Sequence, residues 1–323
     1  MKWYRLVFKQ EQPIHIGALK WGVIDETEIF IPGWTMWGAL TNQFLKYRFA
    51  KNQAEEADVS GNKCLLRPED CDIERFKGLF ECITNFYPVI WKEGREDSSR
   101  LFKPFFPYYK EGVLHIGEYS EEKFRSEFVD VFVSTAVEPL FRMARNESLH
   151  EFEYILPKSN GKRLYWMGII GFEKEQLQEV KSFLEGLEEL YVGGNSRYGF
   201  GRLTLSNVEC LSDEDEKEGN EYRQENGELA EWGVDANGYL CWPEDDGGNF
   251  ILRQFLEFSP EIKFEGQLRL IADFDFTQNV PRVREAKYYI NVGSKIKIAA
   301  LRSKGVEFKK YRLCKGKFKM VRI

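Results

Sequence analysis

Four glycines stand within nine residues, Gly193-Gly194-Asn195-Ser196-Arg197-Tyr198-Gly199-Phe200-Gly201. So bare a run cannot build a core. It lets the backbone take positive φ and approach another backbone closely. Its place matters as much as its composition. Before it comes a helical pattern over 173–190, with Leu177, Val180, Leu184 and Leu187 on one face and acidic residues in the first turn. After it comes a strand-like run, Arg202–Cys210. A dinucleotide fingerprint or a Walker loop follows a strand and opens a helix, so both are excluded. Two readings stay open. The run is a tight connection that packs the last strand, or a backbone nest for an anion. In the second reading Arg197 and Arg202 suit phosphate, and Tyr198 and Phe200 suit stacking on bases.

The rest of the pattern sets this loop in a larger frame. Residues 2–9 read as a strand. Residues 27–31 form a short β-like run that Pro32-Gly33 breaks. A helix follows over 35–52, with Thr35 as a candidate cap. Ala54–Asn62 is polar and reads as a loop, Glu74–Thr84 as a short helix, 113–117 as a strand, 121–128 as a helix and 129–137 as a strand. His150–Leu156 and Arg163–Phe172 read as two strands joined by the turn cluster Pro157-Lys158-Ser159-Asn160-Gly161. Setting aside an insertion at about 53–148, the order is β-α-β-β-α-β. The expected class is therefore α+β, with a ferredoxin-like (RRM-like) domain over 1–210. Residues 211–231 read as an acidic linker. Residues 232–323 read as a β-rich C-terminal domain with a helix conceivable only near 251–257, and a degenerate second ferredoxin-like domain is one reading of it.

The chain has 323 residues, which suits about two domains. Hydrophobic residues make up 43% and aromatics 15%, which excludes a disordered chain. A net charge of −6 excludes a globally basic nucleic-acid binder but not a local basic face. The charge is unevenly placed. Residues 209–231 carry ten acidic side chains against Lys217 and Arg223, whereas residues 295–323 carry eleven Lys or Arg against Glu307 alone. There is no stretch of 18 apolar residues, and the charge-interrupted N-terminus reads as a strand rather than a signal peptide. The six cysteines form no C-x-x-C pair and only three histidines exist, so no zinc site is expected. Reduced thiols in the cytoplasm are the expectation.

Two motifs together point to a family. Ile31-Pro32-Gly33-Trp34-Thr35-Met36-Trp37-Gly38-Ala39-Leu40 opens the first helix, and the glycine run precedes the last strand of the ferredoxin-like unit. The chain resembles the RAMP superfamily of CRISPR effector subunits, which carry an I-P-G-[small]-x-x-G-A-L segment and a G-G-x-x-R-x-G-x-G loop in that order and on those elements. Pro13-Ile14-His15-Ile16-Gly17 resembles the family's first strand end, and Ser148–Tyr154 a strand entry of type III subunits. The resemblance covers residues 1–210. It departs at Trp34 and Trp37, where the family more often has small or basic residues.

The resemblance implies binding of CRISPR RNA, through Gly193, Gly194, Asn195, Ser196, Arg197, Tyr198, Gly199, Gly201 and Arg202, with Arg142 and Arg145 beside the guide. It implies partners: other RAMP subunits and a large polymerase-like subunit of a type III antiviral complex. No membrane, cofactor or metal is expected. The large C-terminal module favours the class that caps the 5′ handle of the guide, which is usually not a nuclease. The alternative is a metal-dependent or metal-independent endoribonuclease. Asp25 lies in the interval where backbone subunits carry a catalytic Asp, and His15 is the candidate for acid–base processing of repeat RNA. The basic C-terminal tract alternates with apolar residues and reads as strands with one basic face. Such a face suits RNA phosphates, or an acidic partner that includes the chain's own 209–231.

Overall fold

A computed structural model describes residues 1–60, 76, 78–92, 103–211, 222–241, 249–275, 280–297 and 311–321, with the backbone alone for 52–60 and 222–226. Parts of the expected helix at 74–84, of the acidic stretch and of the basic tract lie outside the described residues.

The Lys2–Gln10 strand is the axis of the fold. It pairs antiparallel with Lys162–Phe172 on one side and with Arg202–Cys210 on the other. Tyr87–Lys92 pairs antiparallel with the far side of Lys162–Phe172, and the short Glu189–Tyr191 closes the opposite edge. Taken in chain order, the strands 2–10, 87–92, 162–172 and 202–210 sit in spatial order two, three, one, four. That is the ferredoxin-like sheet, each βαβ unit split by an antiparallel strand.

The second strand of that sheet is therefore Tyr87–Lys92 and not His150–Leu156. Alternating apolar residues define a strand but not its partner. His150–Ile155 instead joins a separate four-stranded sheet. There it lies between Val129–Ser134, antiparallel, and Ile24–Thr27, parallel, with Gly17–Trp21 at the edge. The β-like run expected at 27–31 is mostly this strand's exit, and residues 28–31 form a buried connection.

Helix α1 spans Gly33–Ser60, longer at both ends than expected. Ala54-Glu55-Glu56-Ala57 are good helix formers, which suits a helix rather than the expected loop. Thr35 lies inside the first turn, its N–H on the Pro32 carbonyl at 2.9 Å. The orphan N–H of Gly33 is held instead by the Asn85 side-chain oxygen at 2.9 Å, from 52 residues away. Helix α2 spans Glu121–Phe128, capped by Ser120. Helix α3 spans Lys174–Glu185 and stops at Gly186, short of the expected 190. Helix α4 spans Tyr222–Glu231.

Helices α1 and α3 meet through Phe44 and Phe183, whose rings stand edge to face at 5.2 Å. Phe80 links both to Phe172 of the sheet. Each fully buried ring contributes about 1.5–3 kcal/mol, and the edge-to-face geometry adds about 0.5–1.5 kcal/mol.

After α4 the regular elements among the described residues are all strands. A five-stranded sheet runs 268–275, 282–290, 255–257, 317–320, 311–314, and a three-stranded one runs 249–251, 295–297, 264–265. Residues 251–257 hold two strand ends and no helix. This module docks directly on the first. Buried Asn85 receives Gly33 on its oxygen, donates its side-chain N–H to the Gly316 carbonyl and its backbone N–H to Gln254. A Cβ on Gly33 would lie 2.4 Å from the Gly316 nitrogen. The glycine of the Ile31-Pro32-Gly33 motif is thus the contact point with the last hairpin.

Candidate nucleic-acid interface

The glycine run is the loop of a hairpin between Glu189–Tyr191 and Arg202–Cys210. Its two ends are clamped. Val192 donates to the Gly201 carbonyl at 3.0 Å, Gly194 to the His15 carbonyl at 2.9 Å and Gly201 to the Pro13 carbonyl at 2.8 Å. Gly193 and Gly201 have φ of +76° and +98°, and a Cβ on them would lie 2.2 Å from the His15 oxygen and 2.4 Å from the Val192 oxygen. These two glycines serve close packing, the first of the two readings of the run.

The middle of the loop is free of that packing. Asn195 takes a left-handed conformation and starts a single 3-10 turn over Ser196–Tyr198. Arg197 is exposed and makes no hydrogen bond or ion pair among the described residues. Tyr198 is 56% exposed, with its inner edge on Phe132 and Phe152. Phe200, by contrast, is buried against Phe132, Phe152 and Tyr154, so it anchors the loop and is closed to stacking. Arg202 is half-buried and carries a buried Nε without a hydrogen-bond partner.

The floor beneath the loop is one face of the four-stranded sheet. Phe152 stands in register with Phe132 on one neighbour and Asp25 on the other, so all three share that face. Asp25 is on a strand rather than in a loop, and Lys20 holds it at 3.3 Å. His15 is buried. Its ring meets Phe152 edge to face at 5.3 Å, and Nδ1 lies 2.7 Å from the Glu153 carbonyl. The other two histidines sit elsewhere: His115 stacks on Tyr108, and His150 is exposed beside the Ser148 carbonyl.

Arg142 and Arg145 flank the second strand of an extension that forms a two-stranded sheet of its own, Val137–Glu138 with Met143–Ala144. The tip exposes Leu140, Phe141, Arg142 and Met143. The strand Val129–Ser134 connects this extension to Phe132, and so to Tyr198. Phe132 and Lys20 were missed by sequence reasoning. The alternating Phe152 and Tyr154 were visible, but not the partner strand that completes the floor.

The basic C-terminal tract has a different use. Lys297 pairs with Glu265, Arg312 with Glu173, Lys315 with Glu81, and Lys317 and Lys319 with Asp273, at 2.6–3.2 Å. Its described cations are therefore largely engaged within the chain, and its other five lie outside the described residues. The acids involved are not those of 209–231. Glu209 and Glu228 both close on Arg5, at 2.6 and 2.7 Å. Among the described residues no three His, Cys, Asp or Glu side chains gather as a metal-ligand set, and no helix is long and apolar enough to cross a membrane.

No family model matches this chain, and no curated protein matches it. Among solved structures it shares its fold with a chain of the type III-B Cmr-beta complex bound to cognate target RNA and AMPPnP. The TM-score is 0.51 and the identity 11%, over 94% of this chain and 90% of that one. Chains of Cmr-beta bound to cognate target RNA and of its apo state align at TM-scores of 0.39 and 0.37, each at 11% identity. They cover 63% and 65% of this chain and 96% and 98% of those.

Proposed function

We propose that this chain is a CRISPR RNA-binding RAMP subunit of a type III effector complex, which holds the 5′ handle of the guide and contacts the large polymerase-like subunit. One observation carries the reading. Arg197 and Tyr198 project from a loop whose two ends are clamped by backbone hydrogen bonds. An arginine without a carboxylate partner suits a phosphate, and a tyrosine with one edge packed and its remainder open suits a base. A rigid base lowers the entropy lost when RNA orders the loop. The fold shared with a Cmr-beta chain supports the reading at the level of architecture.

The C-terminal module, packed on Gly33 and Asn85, supports the handle-capping class over the compact backbone class. Cleavage finds no such support. Asp25 is ion-paired with Lys20, and the His15 ring is enclosed with Nδ1 engaged. The other subunits of such a complex are the partners this reading implies. The test is equilibrium binding of repeat-derived RNA over a range of salt. Arg197→Ala is expected to weaken binding and to reduce the salt slope by about 0.7, the value for one phosphate on a single strand. Equal, salt-insensitive binding by both proteins contradicts an RNA site at this loop.

A further inference from the structure

The four-stranded sheet beneath the glycine loop has a second face. Strand alternation and register sort its side chains between the two. Phe132, Phe152 and Asp25 share the face under the loop. On the opposite face one row of side chains crosses all four strands. Trp21 stands in register with Ile24, Ile24 with Glu151 and Glu151 with Val133. Trp21, Ile24, Val133 and the neighbouring Val131 are 37–64% exposed. Helix α2 reaches this face at one end, where its Arg125 pairs with Glu153, in register with Val131. Single exposed apolar residues need no explanation, but an apolar row open across a whole sheet marks an interaction surface.

The charge inside the row says what covers it. Glu151 stands half-buried between Ile24 and Val133, and its carboxylate makes no hydrogen bond or ion pair among the described residues. Strand alternation puts Glu26 on the same face as Ile24, and its carboxylate has no partner among the described residues either. A carboxylate flanked by apolar side chains attracts a cation more strongly than one in open water, because less solvent screens the pair. We propose that this face docks a protein partner whose apolar strip carries a lysine or arginine opposite Glu151. Charge complementarity selects that occupant. A nucleic acid is disfavoured because two unpaired carboxylates repel its phosphates. A second copy is disfavoured because it would bring the same carboxylates to the contact. The inference rests on the reading of the chain as a subunit of an assembly, but it uses the face of the sheet turned away from the glycine loop.

The test uses the full chain and two synthetic amphipathic peptides with the same leucine stripe, one flanked by lysines and one by glutamates. Fluorescence anisotropy is expected to show roughly tenfold tighter binding of the lysine peptide. Glu151→Gln keeps the shape of the side chain and should remove most of that preference. Trp21→Ser should weaken binding of the lysine peptide by a similar factor. Glu175→Gln removes the same charge from the exposed first turn of α3 and should change neither. Should Glu151→Gln lower thermal stability, Trp21→Ser, at an exposed hairpin turn, carries the test. Equal binding of the two peptides by the wild type overturns the proposal. So does an equal effect of Glu151→Gln and Glu175→Gln, since the attraction would then follow net charge alone. Sedimentation showing a wild-type dimer that Trp21→Ser dissolves assigns the face to a second copy and also overturns it. Repeat-derived RNA is titrated on the same preparations. Loss of RNA binding in Trp21→Ser assigns the face to nucleic acid and overturns the docking proposal, whereas failure of the wild type to bind RNA overturns the RNA reading and leaves the docking result to stand.

Discussion

Lys315 holds its ammonium 3.5 Å from the centre of the Trp37 ring, with Glu81 at 3.0 Å from the same nitrogen. Lys317 stands 5.4 Å from the Trp34 ring. Two tryptophans at the start of α1 thus receive two lysines of the last hairpin. This accounts for bulky aromatics where the family that the chain resembles more often has small or basic residues. They are the seat of the C-terminal module.

Replacing Lys315 by Met keeps the stem and removes the charge. The variant is expected to lose about 1 kcal/mol of stability, the scale of a partly shielded cation–π contact. Trp37→Ala should lose more, since it also removes ring packing. Urea denaturation checks both. A Lys315→Met protein as stable as the wild type would contradict a role for the cation over the ring.

The glycine loop predicts an asymmetry between two substitutions. A Cβ at Gly199 meets nothing within 4 Å, whereas at Gly193 it lies 2.2 Å from a backbone oxygen. Gly199→Ala should cost about 1–2 kcal/mol for its positive φ alone. Gly193→Ala should cost roughly 3 kcal/mol or more and release the loop from His15. Thermal unfolding and RNA titration of the two variants give the comparison. Equal effects would mean that the clamp does not hold the loop.

The Asp273 carboxylate predicts a pH dependence. Burial alone would raise its pKa, but hydrogen bonds from Lys317 and Lys319 outweigh that and hold it at about 2. A depressed carboxylate stabilises the fold above its unfolded value, near 3.8, and the gain is lost as pH falls through about 2. Asp273→Asn also leaves the ammonium of Lys317, 2% exposed, without its carboxylate. At pH 7 the variant should be less stable by about 1–3 kcal/mol, discounted for the partial exposure of Asp273. The gap should narrow as the wild type is titrated from pH 5 toward 2. A gap that stays constant over that range would rule out the ion pair as its origin.

Local pattern carried much of the fold. The strand at 2–9, the helix at 121–128 and the strand at 163–172 follow from periodicity and turn residues, and the structure extends them by a residue or none. What periodicity cannot supply is pairing. His150–Ile155 and Tyr87–Lys92 are both short β-rich runs, and only tertiary contacts decide which one joins the central sheet. The same holds for Asn85, an unremarkable polar residue in sequence that caps α1 and binds the last hairpin. At the candidate site the glycine run was legible, because positive φ and close approach demand glycine. The separation of Phe200 from Tyr198 was not, since two aromatics two residues apart look alike until one is packed. The ion pairs of the basic tract were not legible either, because net charge does not reveal which carboxylates lie opposite it.

The central claim is that RNA lies on the exposed middle of the glycine loop. Photo-crosslinking with 4-thiouridine-substituted repeat RNA, followed by peptide mapping, tests it most directly. The account predicts adducts on the peptide that contains Arg197 and Tyr198, reduced in Arg197→Ala and in Tyr198→Ala. Efficient crosslinking confined to other segments, with none on that peptide, would contradict it.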